Sequence, residues 1–165
     1  MSISRAVRIV LTLSVALALA GCASESLPEP DLAAQPQAMT LEQREALPPG
    51  FPIEIPALAG EVAVAETLGE QADVGPWHYE VTTDAELDAL VQWYKDVYAG
   101  RSWRLVSEAE EPDGHALVFT KGAGAWSTVH LVVSGEAVSA ECWAGIGVPV
   151  PPEAVPPSVQ EGLDV

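Results

Sequence analysis

Few residues of this chain are of a type that does chemistry: three histidines, two cysteines and acids scattered among five tryptophans. Strand parity brings one pair of them together. If Gly135-Glu136 is a two-residue hairpin turn, glycine supplying the positive φ such a turn needs, then Val133 faces Val138, His130 faces Glu141 and Thr128 faces Trp143. Side chains alternate across a strand, so Val129, Leu131 and Val133 on one side leave Trp126, Thr128, His130 and Val132 on the other. The same parity turns Val138, Ala140 and Cys142 inward and Ser139, Glu141 and Trp143 outward, and it adds His78, Glu80 and Arg104 from neighbouring strands. A candidate ligand face results, bearing Trp126, Thr128, His130, Glu141, Trp143, His78, Glu80 and Arg104. Indoles beside hydrogen-bonding groups suit a sugar, a peptide or an aromatic ligand. The competing expectation is that the arm around Phe51 to Ile55, or a second protein, covers these tryptophans as a minor core.

Catalytic signatures are missing. There is no Cys-x-x-Cys, His-x-x-x-His or His-Glu-x-x-His, no Gly-x-Ser-x-Gly elbow and no phosphate-cradling Gly-x-x-x-x-Gly-Lys. No catalytic residue, metal site or cofactor is expected; a His130–Glu141 pair alone makes neither a metal site nor an acid–base couple. Glu108, Glu110, Glu111 and Asp113 lack calcium-loop spacing and read as a solvated turn. Cys142, among Ala140, Trp143 and Ala144, reads as a small buried hydrophobe.

These side chains need elements to hold them, and the helix is the clearest. Leu87, Leu90, Val91, Tyr94, Val97 and Tyr98 recur at three- and four-residue steps, which gives one apolar face. Thr83 or Asp84 is placed to cap its start, and Gly100 to end it in the left-handed conformation. Strands are expected at 61–68 and 77–82 before it, and at 103–107, 116–121, 126–133 and 137–144 after it. The fold class is α+β: an antiparallel sheet of about five to six strands with one amphipathic helix on one face, in the order β-β-α-β-β-β-β.

The first residues carry a different signal. Arg5 and Arg8 precede the apolar run Ile9 to Ala20, too short to span a bilayer, and Leu19-Ala20-Gly21-Cys22 follows the pattern of a cleavage site. This stretch resembles the lipobox of bacterial lipoproteins. The resemblance implies that residues 1–21 are a signal peptide, that Cys22 takes a diacylglyceryl group, and that the new amino terminus is acylated with a fatty acid such as palmitate. The helix with Trp93-Tyr94, then Gly100, Trp103 and a meander, also resembles small bacterial lipoproteins, although Arg101-Ser102 intervene where adjacency is expected. Neither resemblance implies an activity.

The expected layout is then the signal at 1–21, an acidic Pro/Ala-rich linker at 22–47, one α+β domain at 48–145 and a disordered proline-rich tail at 146–165. Within the linker, Thr40-Leu41-Glu42-Gln43 has the form of a capping box. Losing residues 1–21 removes two arginines and no acid, so the net charge goes from −17 to −19. Such a surface repels nucleic acid. The expected location is exported, lipid-anchored to the outer side of the cytoplasmic membrane or to the outer membrane facing the periplasm. The expected role is a non-catalytic binding module for an envelope protein or cell-wall ligand. The alternatives are a small hydrolase using His130 and Glu141, or a structural or regulatory subunit of an envelope complex.

Overall fold

The computed structural model describes residues 35–68, 73–155 and 158. The signal run, Cys22 and the linker as far as residue 34 lie outside the described residues, as do 69–72, 156–157 and 159–165. Six strands, β1 Glu61–Thr67, β2 Trp77–Thr83, β3 Arg104–Glu111, β4 Gly114–Lys121, β5 Ala125–Ser134 and β6 Ala137–Ile146, form one antiparallel sheet, with the helix α1 at Leu87–Gly100 packed against it. Their order across the sheet is β1-β2-β6-β5-β4-β3. The chain is α+β.

The helix buries the stripe its sequence prescribes, Leu90, Val91, Tyr94 and Tyr98. Tyr98 stacks on Phe119 of β4 at 4.1 Å, and its hydroxyl lies 2.7 Å from Ser127 Oγ, which donates to Trp143 O at 3.0 Å. The helix ends differently from expectation. Gly100 is its last residue and Ser102 takes the left-handed conformation, at φ 64°. Ser102 N–H bonds to Ala99 O and Trp103 N–H to Tyr98 O, both at 3.0 Å, which is the Schellman arrangement. Its accompanying apolar contact is Trp103 edge-on to Tyr98, centroids 5.4 Å apart. That contact places the turn two residues past the glycine.

The N-terminal arm shares the helix face of the sheet. Phe51 meets Trp77 and Tyr79 edge-on, at 6.0 and 5.4 Å. Prolines bring carbonyls without N–H donors, so the arm's own turns, Phe51 N–H to Pro48 O and Ile55 N–H to Pro52 O, are supplemented by side chains. Arg44 donates to Pro52 O at 2.7 Å and Ile55 O at 3.2 Å, and Trp77 Nε1 donates to Pro49 O at 3.3 Å. The capping box closes reciprocally, Thr40 N–H to Gln43 Oε1 at 2.8 Å and Gln43 N–H to Thr40 Oγ1 at 3.2 Å, ahead of a 3-10 turn at Gln43–Ala46. Met39, Leu47, Ile55 and Leu58 are all buried. At about 1.5–3 kcal/mol each, side chains of this kind make the arm part of the core. The domain therefore starts ahead of residue 48, and the end of the expected linker belongs to it.

Candidate functional site

The opposite face of the sheet carries the residues singled out by parity. His130 pairs in register with Glu141, Thr128 with Trp143 and His78 with Trp143 on the other side of β6. Gly135, at φ 67°, makes the tight β5–β6 turn that sets this register.

Five titratable side chains, carboxylates and imidazoles in alternation, cross the face. Glu66 Oε1 lies 3.0 Å from His78 Nδ1, and Glu141 Oε1 lies 3.2 Å from His78 Nε2, an ion-pair contact rather than a directed hydrogen bond. Glu141 Oε2 is 3.8 Å from His130 Nδ1, and Glu111 Oε2 is 2.5 Å from His130 Nε2. The His78 ring also stacks on Trp143, whose Nε1 donates to Glu141 Oε1 at 3.1 Å. Both nitrogens of each imidazole lie within 3.8 Å of carboxylate oxygens, which favours the doubly protonated ring.

The pKa shifts follow from this. For His78, burial pulls the value down, and Glu141 and Glu66 more than reverse it, leaving it raised. For His130, Glu141 raises the value, burial opposes it, and Glu111 adds to the rise. His130 and His78 hold the Glu141 carboxyl well below the usual range against the cost of its burial. Glu111 is lowered despite burial by Ser158 and His130. With a carboxylate against each ring nitrogen, neither imidazole presents a nitrogen free to take a substrate proton, and the nearby Thr128 hydroxyl is already donated to Ala154 O at 2.6 Å. The arrangement is a charged clamp.

The expected cover is corrected twice. The arm lies on the helix side, away from Trp126 and Trp143. The residues over the tryptophans are those expected to be a disordered tail. Ile146 still belongs to β6, and residues 148–155 run back across the second face. Trp126 Nε1 donates to Val148 O at 2.8 Å, and Val148 and Ala154 pack with Trp126 and Trp143, which are left only 5% and 8% exposed. Val148 and Ala154 are the apolar residues that a composition dominated by proline and acid conceals. Beneath this strap remains a recess of about 240 Å³ lined by Thr128, His130, Glu141, Trp143, Glu153, Ala154 and Val155. Two larger hollows, about 380 and 350 Å³, lie beside Gly60 and Thr83 and beside Asp88 and His115. Neither has an indole wall.

No family model, curated protein or solved structure matches the chain. The site's own chemistry carries the argument.

The other expected residues divide. Glu80 accepts from Ser139 Oγ at 2.7 Å, beside the clamp. Arg104 is exposed on the edge strand β3, in register with Thr120 and away from the recess. Glu66 and Ser158 belong to the clamp without having been singled out, and Glu111, expected in a solvated turn, belongs to it as well. The clamp role of Glu111 was concealed because β3 runs to residue 111 rather than ending near 107: an edge strand with no fully buried position shows little apolar alternation. The same stretch holds Glu108, 2.9 Å from His115 Nε2 and 2.5 Å from Lys95 Nζ, so the expected solvated turn is an ion-paired strand end. Among the described residues no group of three or more His, Cys, Asp or Glu is placed to hold a metal ion, and no helix is long and apolar enough to cross a membrane.

Proposed function

We propose that the chain is a bacterial lipoprotein, exported and anchored through Cys22, whose domain is a non-catalytic binding module of the cell envelope. Leu19-Ala20-Gly21-Cys22 after a short apolar run supports the address. One observation carries the binding role: the recess under the strap, with an indole wall at Trp143 and polar groups from Thr128, His130 and Glu141. The hydrolase reading is the weaker one, since the recess presents one imidazole, His130, with carboxylates at both nitrogens, and one engaged hydroxyl, Thr128.

The address is tested by labelling cells with a radioactive fatty acid. The label should enter the protein and disappear with Cys22→Ser, which should also release the chain from the membrane fraction. Membrane retention and label in the Cys22→Ser chain would remove the anchor from the account. The binding role is tested by a thermal-shift screen with cell-wall fragments, sugars and peptides, each hit repeated in Trp143→Ala. A ligand of the native state raises the midpoint by mass action. A hit unaffected by Trp143→Ala would place binding elsewhere.

A further inference from the structure

We infer that the second face is a groove for a proline-containing segment of an envelope protein, and that residues 148–155 occupy it as a built-in competitor. The inference rests on the reading of this face as a binding surface.

Two donors on the face are aimed at backbone carbonyls, Trp126 Nε1 at Val148 O and Thr128 Oγ1 at Ala154 O. Backbone carbonyls exist in every peptide, so any chain following the same path satisfies both donors. The side chains anchored there are small, Val148 and Ala154. Between them, Pro149 and Pro152 are exposed and Pro151 is partly so. These prolines act through backbone stiffness: Pro151, at φ −68°, ψ 149°, leads into a 3-10 turn at Pro152–Ala154, closed by Ala154 N–H to Pro151 O at 3.0 Å, and that turn sets the Ala154 methyl and carbonyl against the face.

The strap also underfills its site. Beside the Ala154 methyl lies the recess of about 240 Å³. A segment with a larger residue at that position gains contacts the strap does not make, so it has the differential affinity needed to displace it. Gly147, at φ 68° and with its N–H bonded to Gly124 O at 2.9 Å, is the point at which the strap leaves the sheet.

The test uses the full chain with Val148→Asp and Ala154→Asp, which removes the anchors and leaves the groove intact. The probe is a dye-labelled peptide of residues 148–158, read by anisotropy, with a second peptide carrying Ala154→Leu. The variant should bind saturably and at least about tenfold more tightly than the wild-type chain, whose tethered strap competes at high effective concentration. The leucine peptide should bind more tightly still, and Trp126→Ala should abolish binding. A folded variant with no saturable binding, or with binding indifferent to Trp126→Ala, overturns the inference. If the double variant does not fold, a protease site inserted after Gly147 and cut in the folded protein replaces it. Exchange of the cut strap for labelled peptide supports the groove, and permanent retention overturns it. A wild-type dimer abolished by the two anchor substitutions would assign the groove to a second copy's strap, against a partner protein. A sugar or cell-wall fragment that stabilises the double variant when peptides do not would sink the peptide class and leave the binding surface standing.

Discussion

Trp143 and His78 lie face to face, ring centroids 4.1 Å apart and planes 19° from parallel, with Glu66 and Glu141 at the two imidazole nitrogens. An imidazolium against an indole quenches its emission. Because the two carboxylates outweigh burial and raise the His78 pKa above 6.5, tryptophan emission should increase as pH rises through a midpoint above that value. His78→Gln should remove the transition; an identical titration in the variant would show that the stack does not report on His78.

The clamp also gives stability a pH window. His78 and His130 have raised folded-state values, so their contribution is complete below about 6.5 and fades as pH rises through those values. Glu111 and Glu141 are lowered, so theirs is complete above about 4.5 and fades as pH falls through the folded values. The melting-temperature difference between wild type and Glu141→Gln should therefore peak between about 4.5 and 6.5. The comparison cancels the general repulsion of a chain of net charge −17. A difference constant from pH 4 to 8 would mean that the clamp is not coupled to folding.

Gly145 lets Trp126 lie flat under the strap. A Cβ there would stand 2.6 Å from Val148 Cγ2 and 2.7 Å from the Trp126 ring. Gly145→Ala should cost about 1–3 kcal/mol, as overpacking does, and loosen the strap first. Chemical denaturation checks the first effect, and proteolysis between residues 147 and 158 the second.

Ser102 is the one non-glycine residue at positive φ among those described. Ser102→Gly should stabilise by about 0.5–1 kcal/mol, because relief of the left-handed strain exceeds the added unfolded-state entropy. Ser102→Val should destabilise by more. Equal midpoints for all three chains in denaturant would contradict the Schellman assignment.

What was legible in the sequence was whatever periodicity or turn chemistry enforces. The apolar steps from Leu87 to Tyr98 located the helix face, and Gly135-Glu136 fixed the register that sets His130 opposite Glu141. The edge strand through Glu108 and Glu111 was not legible, because half-exposed positions carry no apolar signature. The strap was concealed for a different reason. Its two anchors, Val148 and Ala154, gain their value from Trp126 and Trp143, and a contact between distant segments leaves no local pattern. The arm shows the same effect, with Met39 and Leu47 buried in a stretch whose prolines and acids resemble a linker.

The proposed binding face lies under a strap that must be able to leave it. Hydrogen exchange at the Trp126 indole N–H, bonded to Val148 O at 2.8 Å, tests this most directly in the intact chain. Exchange is expected through a local opening, insensitive to low denaturant and much faster than at the β5–β6 ladder amides around Leu131, which await global unfolding. If the indole proton exchanges only as slowly as those amides and with the same denaturant dependence, the strap is permanent core, and the second face is not a binding surface.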